Sequence, residues 1–160
     1  MSNPISNFDE LIDSRDVINR IAELESNRED LVNEIKTAQS SLEAEESKDE
    51  PSAEELAEIN GVLEAAKESL GEFDTSDEGE ELEDLKALQD EAEGYADWIH
   101  GAILVHDDYF QEYAQNFAED LGMDRTQPWP YSCIDWEKAA DELKQDFTSV
   151  DFDGETFWIH

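Results

Sequence analysis

The sequence predicts a mostly α-helical protein with a small α+β C-terminal module. The expected order is an N-terminal antiparallel helical hairpin of coiled-coil type, then a compact domain with two helices and a terminal β-hairpin. Three observations carry that prediction. Apolar residues step by three and four through much of the first half, all four tryptophans lie beyond Tyr95, and an Asp-Gly pair separates two alternating apolar stretches at the end.

The first helix follows from Val17, Ile21, Leu24, Leu31, Ile35, Ala38 and Leu42, a heptad seam broken once by Arg28. Asp13 or Ser14 can cap its start, and the charged stretch "EAEESKDEP" ends it. Ser52 and Glu55 then form a capping box for a second helix carrying Leu56, Ile59, Leu63, Ala66 and Leu70, with Gly71 placed to terminate it. Two such helices with a short connection predict an antiparallel pair. Their narrow apolar stripe calls for a third helix or a second chain, so a homodimer is expected through Val17, Ile21, Leu24, Leu31, Ile35, Leu42, Leu56, Ile59 and Leu63.

The segment "GEFDTSDEGEE" has two glycines and little to bury, which predicts a loop. A third helix follows with Leu82, Leu85, Leu88, Ala92, Tyr95 and Ile99, although Gly94 weakens its end. The division expected is thus 1–72 for the hairpin, 73–94 for an acidic linker and third helix, and 95–160 for the compact module. Within that module "AILV" is too short to decide between strand and helix. Asp107 is placed to cap a helix with Phe110, Tyr113, Ala114, Phe117 and Leu121, closed by Gly122. "QPWPYSC" reads as a proline-bounded loop, and Asp135 caps a helix turning Trp136, Ala139, Ala140 and Leu143 to the core. Val150, Phe152, Phe157 and Ile159 flank the hairpin turn at Asp153 and Gly154. Trp129, Tyr131, Trp136 and Trp158 are expected to build the small core, with one or two of them open to being exposed anchors at an interface instead.

Charge bounds the function. Of 160 residues 45 are acidic and 10 basic, a net charge of -35 that opposes binding to nucleic acid and to anionic membranes. The partners expected are basic protein surfaces. No run of about 18 apolar residues marks a membrane span, and the N-terminus has no signal-peptide pattern. Cys133 stands alone, which fits a reducing compartment and predicts a cytoplasmic protein. A solubilising role needs a net charge of only roughly 2 to 8. Ordinary helices also pair Glu with Lys four residues apart, a stabilisation of about 0.2 to 0.5 kcal/mol per pair that this chain mostly forgoes after Lys48. A salt-adapted surface would carry similar charge without binding anything, but Ile, Asn and Lys are retained here. Disorder is opposed by the aromatic C-terminal half, and stays open for residues 40–52 and 71–80.

Catalytic chemistry has little support, and the protein is not expected to be an enzyme. "HDD" at His106 to Asp108 lacks a second spaced His or Cys to complete a metal set, and "DFDG" lacks the distal ligands of a calcium loop. Cys133 has no neighbouring base and is expected to pack in the interior. No glycine-rich phosphate loop is present, so neither metal nor cofactor is expected.

From Asp108 onward the residues "DYFQEYAQNFAEDLG…CIDWEKAADELKQDFTSVDFDGETFWIH" resemble the C-terminal part of the ArdA antirestriction family, in its acidic helix, its Asp-Trp-Glu helix and its closing hairpin. The residues that carry the resemblance are Asp135, Trp136, Glu137, Ala140, Glu142 and Leu143, with Asp141 where the family usually has arginine. The resemblance implies an acidic protein that imitates duplex DNA in the binding groove of a restriction enzyme, as phage and mobile-element proteins do. Duplex DNA has one charge per about 1.7 Å of axis, so 35 surplus charges match on the order of 60 Å of duplex. Three helices supply candidate rows of carboxylates spaced about 5 to 6 Å apart. These are Glu80, Glu81, Glu83 and Asp84; Asp108, Glu112, Glu119 and Asp120; and Glu137, Asp141, Glu142 and Asp146. The alternative is a coiled-coil interaction or scaffold protein whose heptads bind and whose acid only solubilises.

Overall fold

The computed structural model describes residues 3–95 and 97–160. They are mostly helical, with one small antiparallel sheet. The order is β1 (Leu11–Asp13), α1 (Ser14–Glu46), α2 (Ala53–Asp74), α3 (Asp77–Ala92), β2 (Ile103–His106), α4 (Phe110–Asp120), α5 (Pro128–Tyr131), α6 (Trp136–Leu143), β3 (Thr148–Phe152) and β4 (Glu155–Ile159). Among the described residues no helix is long and apolar enough to cross a membrane. The chain divides into two units, Ile21–Glu83 and a second made of Ser2–Arg20 with Asp84–His160.

In the first unit α2 starts at the expected cap, where the Ser52 hydroxyl accepts from the Glu55 backbone N–H at 3.4 Å. Arg28, the interruption in the seam, has a structural use. Its guanidinium donates Nε to Asp74 Oδ1 at 2.7 Å and Nη2 to Asp74 Oδ2 at 3.1 Å, a two-pronged pair that raises the Arg28 pKa. At the other end Lys48 pairs with Glu45 and Glu55, and Glu45 accepts the Ser52 backbone N–H at 2.9 Å. These contacts join the middle of α1 to the end of α2 and the end of α1 to the start of α2, so the two helices run in opposite directions.

The predicted loop after Leu70 is helix instead. Helix α2 continues past Gly71 to Asp74, and only Thr75 and Ser76 precede α3. The helical cost of glycine, about 1 kcal/mol, is small beside what the tight connection secures. The Thr75 hydroxyl donates to Gly71 O at 2.9 Å, and the Ser76 hydroxyl donates to Phe73 O at 2.7 Å and accepts from Gly79 N at 3.3 Å. Gly79 is required by space, since a Cβ there would lie 2.3 Å from Phe73 O. Leu82, Leu85, Leu88 and Ala92 are buried as predicted, but α3 stops at Ala92 and leaves Tyr95 and Ile99 exposed.

The second unit holds the sheet, in the order β1-β2-β4-β3. β1 was not legible in the sequence. It pairs Leu11 with Val105 and Asp13 with Ile103, so the N-terminal residues belong with the C-terminal module rather than with a 1–72 hairpin. The helix-start expectation is likewise divided between two roles. Asp13 Oδ1 accepts the Arg15 backbone N–H at 2.9 Å, whereas the buried Ser14 hydroxyl donates to Trp98 O at 2.5 Å and accepts Ala102 N–H at 2.8 Å. "AILV" resolves as strand, pairing Leu104 with Ile159 and His106 with Phe157. The turn from β3 to β4 places Asp153 at φ 47 and Gly154 at φ 80, the two positive angles a two-residue hairpin turn needs. Val105, Phe110, Ala114 and Ala140 form a buried cluster with Tyr109, Tyr113, Leu143, Phe147 and Trp158 packed around it. Val150, Phe152, Phe157 and Ile159 are buried as expected.

One core expectation is corrected: Cys133 is exposed rather than packed, because the proline-bounded segment lies outside the cluster. Trp129, 77% exposed, takes the alternative left open for one or two of the four aromatics. Tyr131 and Trp136 lie against each other, 4.9 Å between ring centroids, half-buried.

Candidate functional site

Helices α4 and α6 pack together through Ala114 and Ala140, whose small side chains let the two backbones approach. Asp135 Oδ1 caps α6 by accepting the Lys138 N–H at 3.1 Å, as its spacing predicts. Burying one face of each helix turns the opposite faces outward. Those faces carry Glu112 and Asp120 on α4 and Glu137, Asp141 and Glu142 on α6, all exposed. Asp108 in the turn before α4 and Asp146 in the turn after α6 are also exposed. The structure therefore brings together two of the three predicted rows, in one unit.

Two members of these rows are not wholly available. Glu119 is half-buried and pairs with Arg125, and Glu142 lies 3.9 Å from Lys138. The third row is split by the division of the chain: Glu80, Glu81 and Glu83 fall in the first unit and Asp84 in the second. Glu80 and Glu83 are exposed, while Glu81 and Asp84 are half-buried and engaged within the chain.

The cations are disposed differently from the acids. Arg15 pairs with Asp13, Arg28 with Asp74, Lys67 with Glu64 and Lys144 with Asp107, in addition to the pairs of Lys48, Arg125 and Lys138 above. Most of the basic groups are thus neutralised on the spot by a neighbouring carboxylate. What is left over on the surface is mostly acid, with Lys36 an exposed cation outside these pairs.

Asp107 is the most worked carboxylate, and it does not cap α4. His106 Nδ1 accepts the Asp108 N–H at 3.1 Å and so caps the short turn Asp107–Tyr109 that leads into α4, while Tyr109 at the start of α4 itself makes no side-chain cap. Asp107 Oδ1 instead accepts from Lys144 Nζ at 2.5 Å and from Trp158 Nε1 at 2.6 Å. Burial works against the Asp107 charge, but the Lys144 and Trp158 hydrogen bonds outweigh it and hold its pKa below the usual carboxylate value. His106 is buried, with Nε2 3.6 Å from Glu155 Oε2. Asp107 thereby ties β4 to the turn that follows α6, while the Asp108 side chain stays exposed, and among the described residues no group of three His, Cys, Asp or Glu side chains could hold a metal.

The predicted dimer seam lies mostly inside the single chain. Val17, Ile21, Leu24 and Leu63 are buried, and Leu31, Ile35, Leu42, Leu56 and Ile59 are half-buried. A large apolar residue of the helix pair that stands exposed is Val62, 56% exposed, at an i+3 step from Ile59 that the heptad reading passed over. It lines a groove of about 920 Å³ between α1 and α2 with Ile59, Ala38, Ala66, Asp30 and Glu34.

Compared with family models, curated proteins and solved structures, the chain matches none.

Proposed function

We propose that this protein is a DNA mimic: an inhibitor that occupies the DNA-binding groove of a basic host protein, such as a restriction enzyme, nuclease or other defence protein, with rows of carboxylates. The observation that carries the proposal is the unequal use of charge. Most of the cations are tied up in local pairs while Glu112, Asp120, Glu137 and Asp141 stand exposed on two helices packed side by side. The resemblance of residues 108–160 to the ArdA family points the same way. No bond is made or broken in such a function. Long-range attraction speeds the encounter and falls steeply with salt.

The experiment is capture of partners from a bacterial lysate on the immobilised full-length protein, with elution by rising salt. DNA-binding proteins released at moderate salt support the proposal; a partner held regardless of salt contradicts it.

A second reading, a coiled-coil interaction or scaffold protein, is favoured by the groove between α1 and α2 and its exposed Val62. In that reading a partner helix or a second copy fills the groove, and the acid only solubilises. Leu24 cannot test it, because Leu24 is fully buried and its replacement by Asp would disrupt the fold. Val62→Asp tests it with little effect on folding.

A further inference from the structure

The second unit solves one chemical problem twice in the same way. Lys144 Nζ sits 5.2 Å from the centroid of Phe110 and 5.1 Å from that of Trp158, with Asp107 Oδ1 at 2.5 Å. Arg125 lies 5.9 Å from the centroid of Tyr131 and pairs with Glu119. In both places a cation is held between an aromatic face and a carboxylate, a combination in which the ring quadrupole and the anion act together.

A third site combines aromatic rings with a carboxylate, and its lining has no Lys or Arg; His160 lies against Phe147 at 5.2 Å between ring centroids. Tyr113 and Phe117 on α4, Phe147 after α6, Leu143, Asp146 and His160 enclose a cavity of about 290 Å³. Its aromatic walls are ordered against one another. Tyr113 and Phe117 are parallel within 4° with centroids 6.4 Å apart, and Phe147 stands edge-on to Tyr113 at 6.0 Å. Phe117 is 41% exposed, so its ring is open to a ligand entering the cavity. Asp146 supplies a carboxylate to the lining. A second carboxylate is close: burial first, and then the charge of Asp120, raise the Tyr113 pKa.

We propose that this cavity binds the guanidinium of an arginine from the partner protein, with the rings of Tyr113, Phe117 and Phe147 receiving its planar face and Asp146 its N–H groups. Arginine fits better than lysine because its flat, weakly hydrated head stacks on rings and offers a fork of donors to a carboxylate. The identity of the partner rests on the DNA-mimic reading; the chemistry of the pocket does not. On that reading the carboxylate rows provide attraction and the pocket provides an anchor, since arginine and aromatic residues dominate the binding energy of many interfaces. Asp120 and Asp146 would then act at the pocket rather than as members of a uniform row.

The test titrates the full-length protein with N-acetyl-arginine methylamide and, separately, with the neutral citrulline analogue, following backbone amide shifts by NMR. The expected result is saturable shifts at Tyr113, Phe117 and Phe147 with the arginine compound and binding at least about tenfold weaker with citrulline. Phe117→Ala should weaken arginine binding by roughly threefold to thirtyfold with the remaining spectrum unchanged. Asp146→Asn, an exposed position, gives an independent variant should Phe117→Ala disturb the fold. Equal response to both compounds, no response, or shifts spread along the acidic helices and indifferent to both variants would overturn the proposal. Arginine binding by a protein that captures no DNA-binding partner would remove the mimic reading and leave the pocket. Salt-sensitive capture without arginine binding would do the reverse.

Discussion

Replacing Glu112, Glu137 and Asp141 together by Lys separates charge from structure. All three are exposed, and among the described residues their side chains make no hydrogen bond or ion pair, so the fold gives up only the helix-dipole stabilisation of Glu112 and Glu137 in the first turns of α4 and α6, about 0.3 to 1 kcal/mol each. The expected effect on binding can be worked from Coulomb's law. A carboxylate about 5 Å from a basic group in water contributes about 0.8 kcal/mol, and reversing its sign costs about twice that. Three sites give about 5 kcal/mol, which screening over a Debye length of about 8 Å reduces by roughly half at physiological salt. The remaining ~2.5 kcal/mol is close to a hundredfold loss of affinity, and the loss should grow as salt is lowered. The assay is the dissociation constant for the captured partner at two salt concentrations, with circular dichroism and a thermal melt on the same samples. Affinity within about twofold of wild type, with the fold intact, would refute the reasoning, because Glu112, Glu137 and Asp141 would then not face the partner.

Three further outcomes follow from the structure. Ser14→Ala should destabilise by about 2 to 3 kcal/mol in chemical denaturation, since it leaves Trp98 O and Ala102 N–H buried and unpaired. Asp107 has a folded pKa below its unfolded one, so it contributes stability above about pH 4 that is lost as pH falls through the folded value. Because acid also relieves repulsion among the other carboxylates, the readout is a difference: Asp107→Asn should cost about 1 kcal/mol at neutral pH, discounted for its 44% side-chain exposure, and the gap should close toward pH 2. Val62→Asp should leave the melting temperature and partner affinity nearly unchanged if the carboxylates bind, and abolish binding if the α1–α2 groove does; equilibrium binding distinguishes the two.

Periodicity made the long helices legible, and capping chemistry placed Ser52 and Asp135 where the structure has them. The sequence misled where a local signal was overruled by packing. Two glycines and dense acid between Gly71 and Glu81 read as a loop, yet Gly79 marks a close helix-to-helix connection. β1 is three residues long and has no pattern of its own; its existence depends on an edge presented by Ile103–Val105 far along the chain. The acidic rows were visible as composition, but which carboxylates stand free was not. Glu119 reads as a surface acid and Asp107 as a helix cap in the sequence, yet they are engaged by Arg125 and Lys144, the latter brought near only by the fold. The aromatic pocket escaped for a related reason. Tyr113 and Phe117 share a helix face that periodicity assigns to the core, and partial exposure of that face cannot be read from spacing.

The central claim is that the protein and duplex DNA occupy the same groove. A fluorescent duplex bound to the purified partner, titrated with the protein and followed by anisotropy, tests it directly. The account predicts full displacement, with free duplex recovered and no species containing all three components. A stable ternary complex, with the duplex still bound when the protein is saturating, would contradict it and return the function to the helix pair.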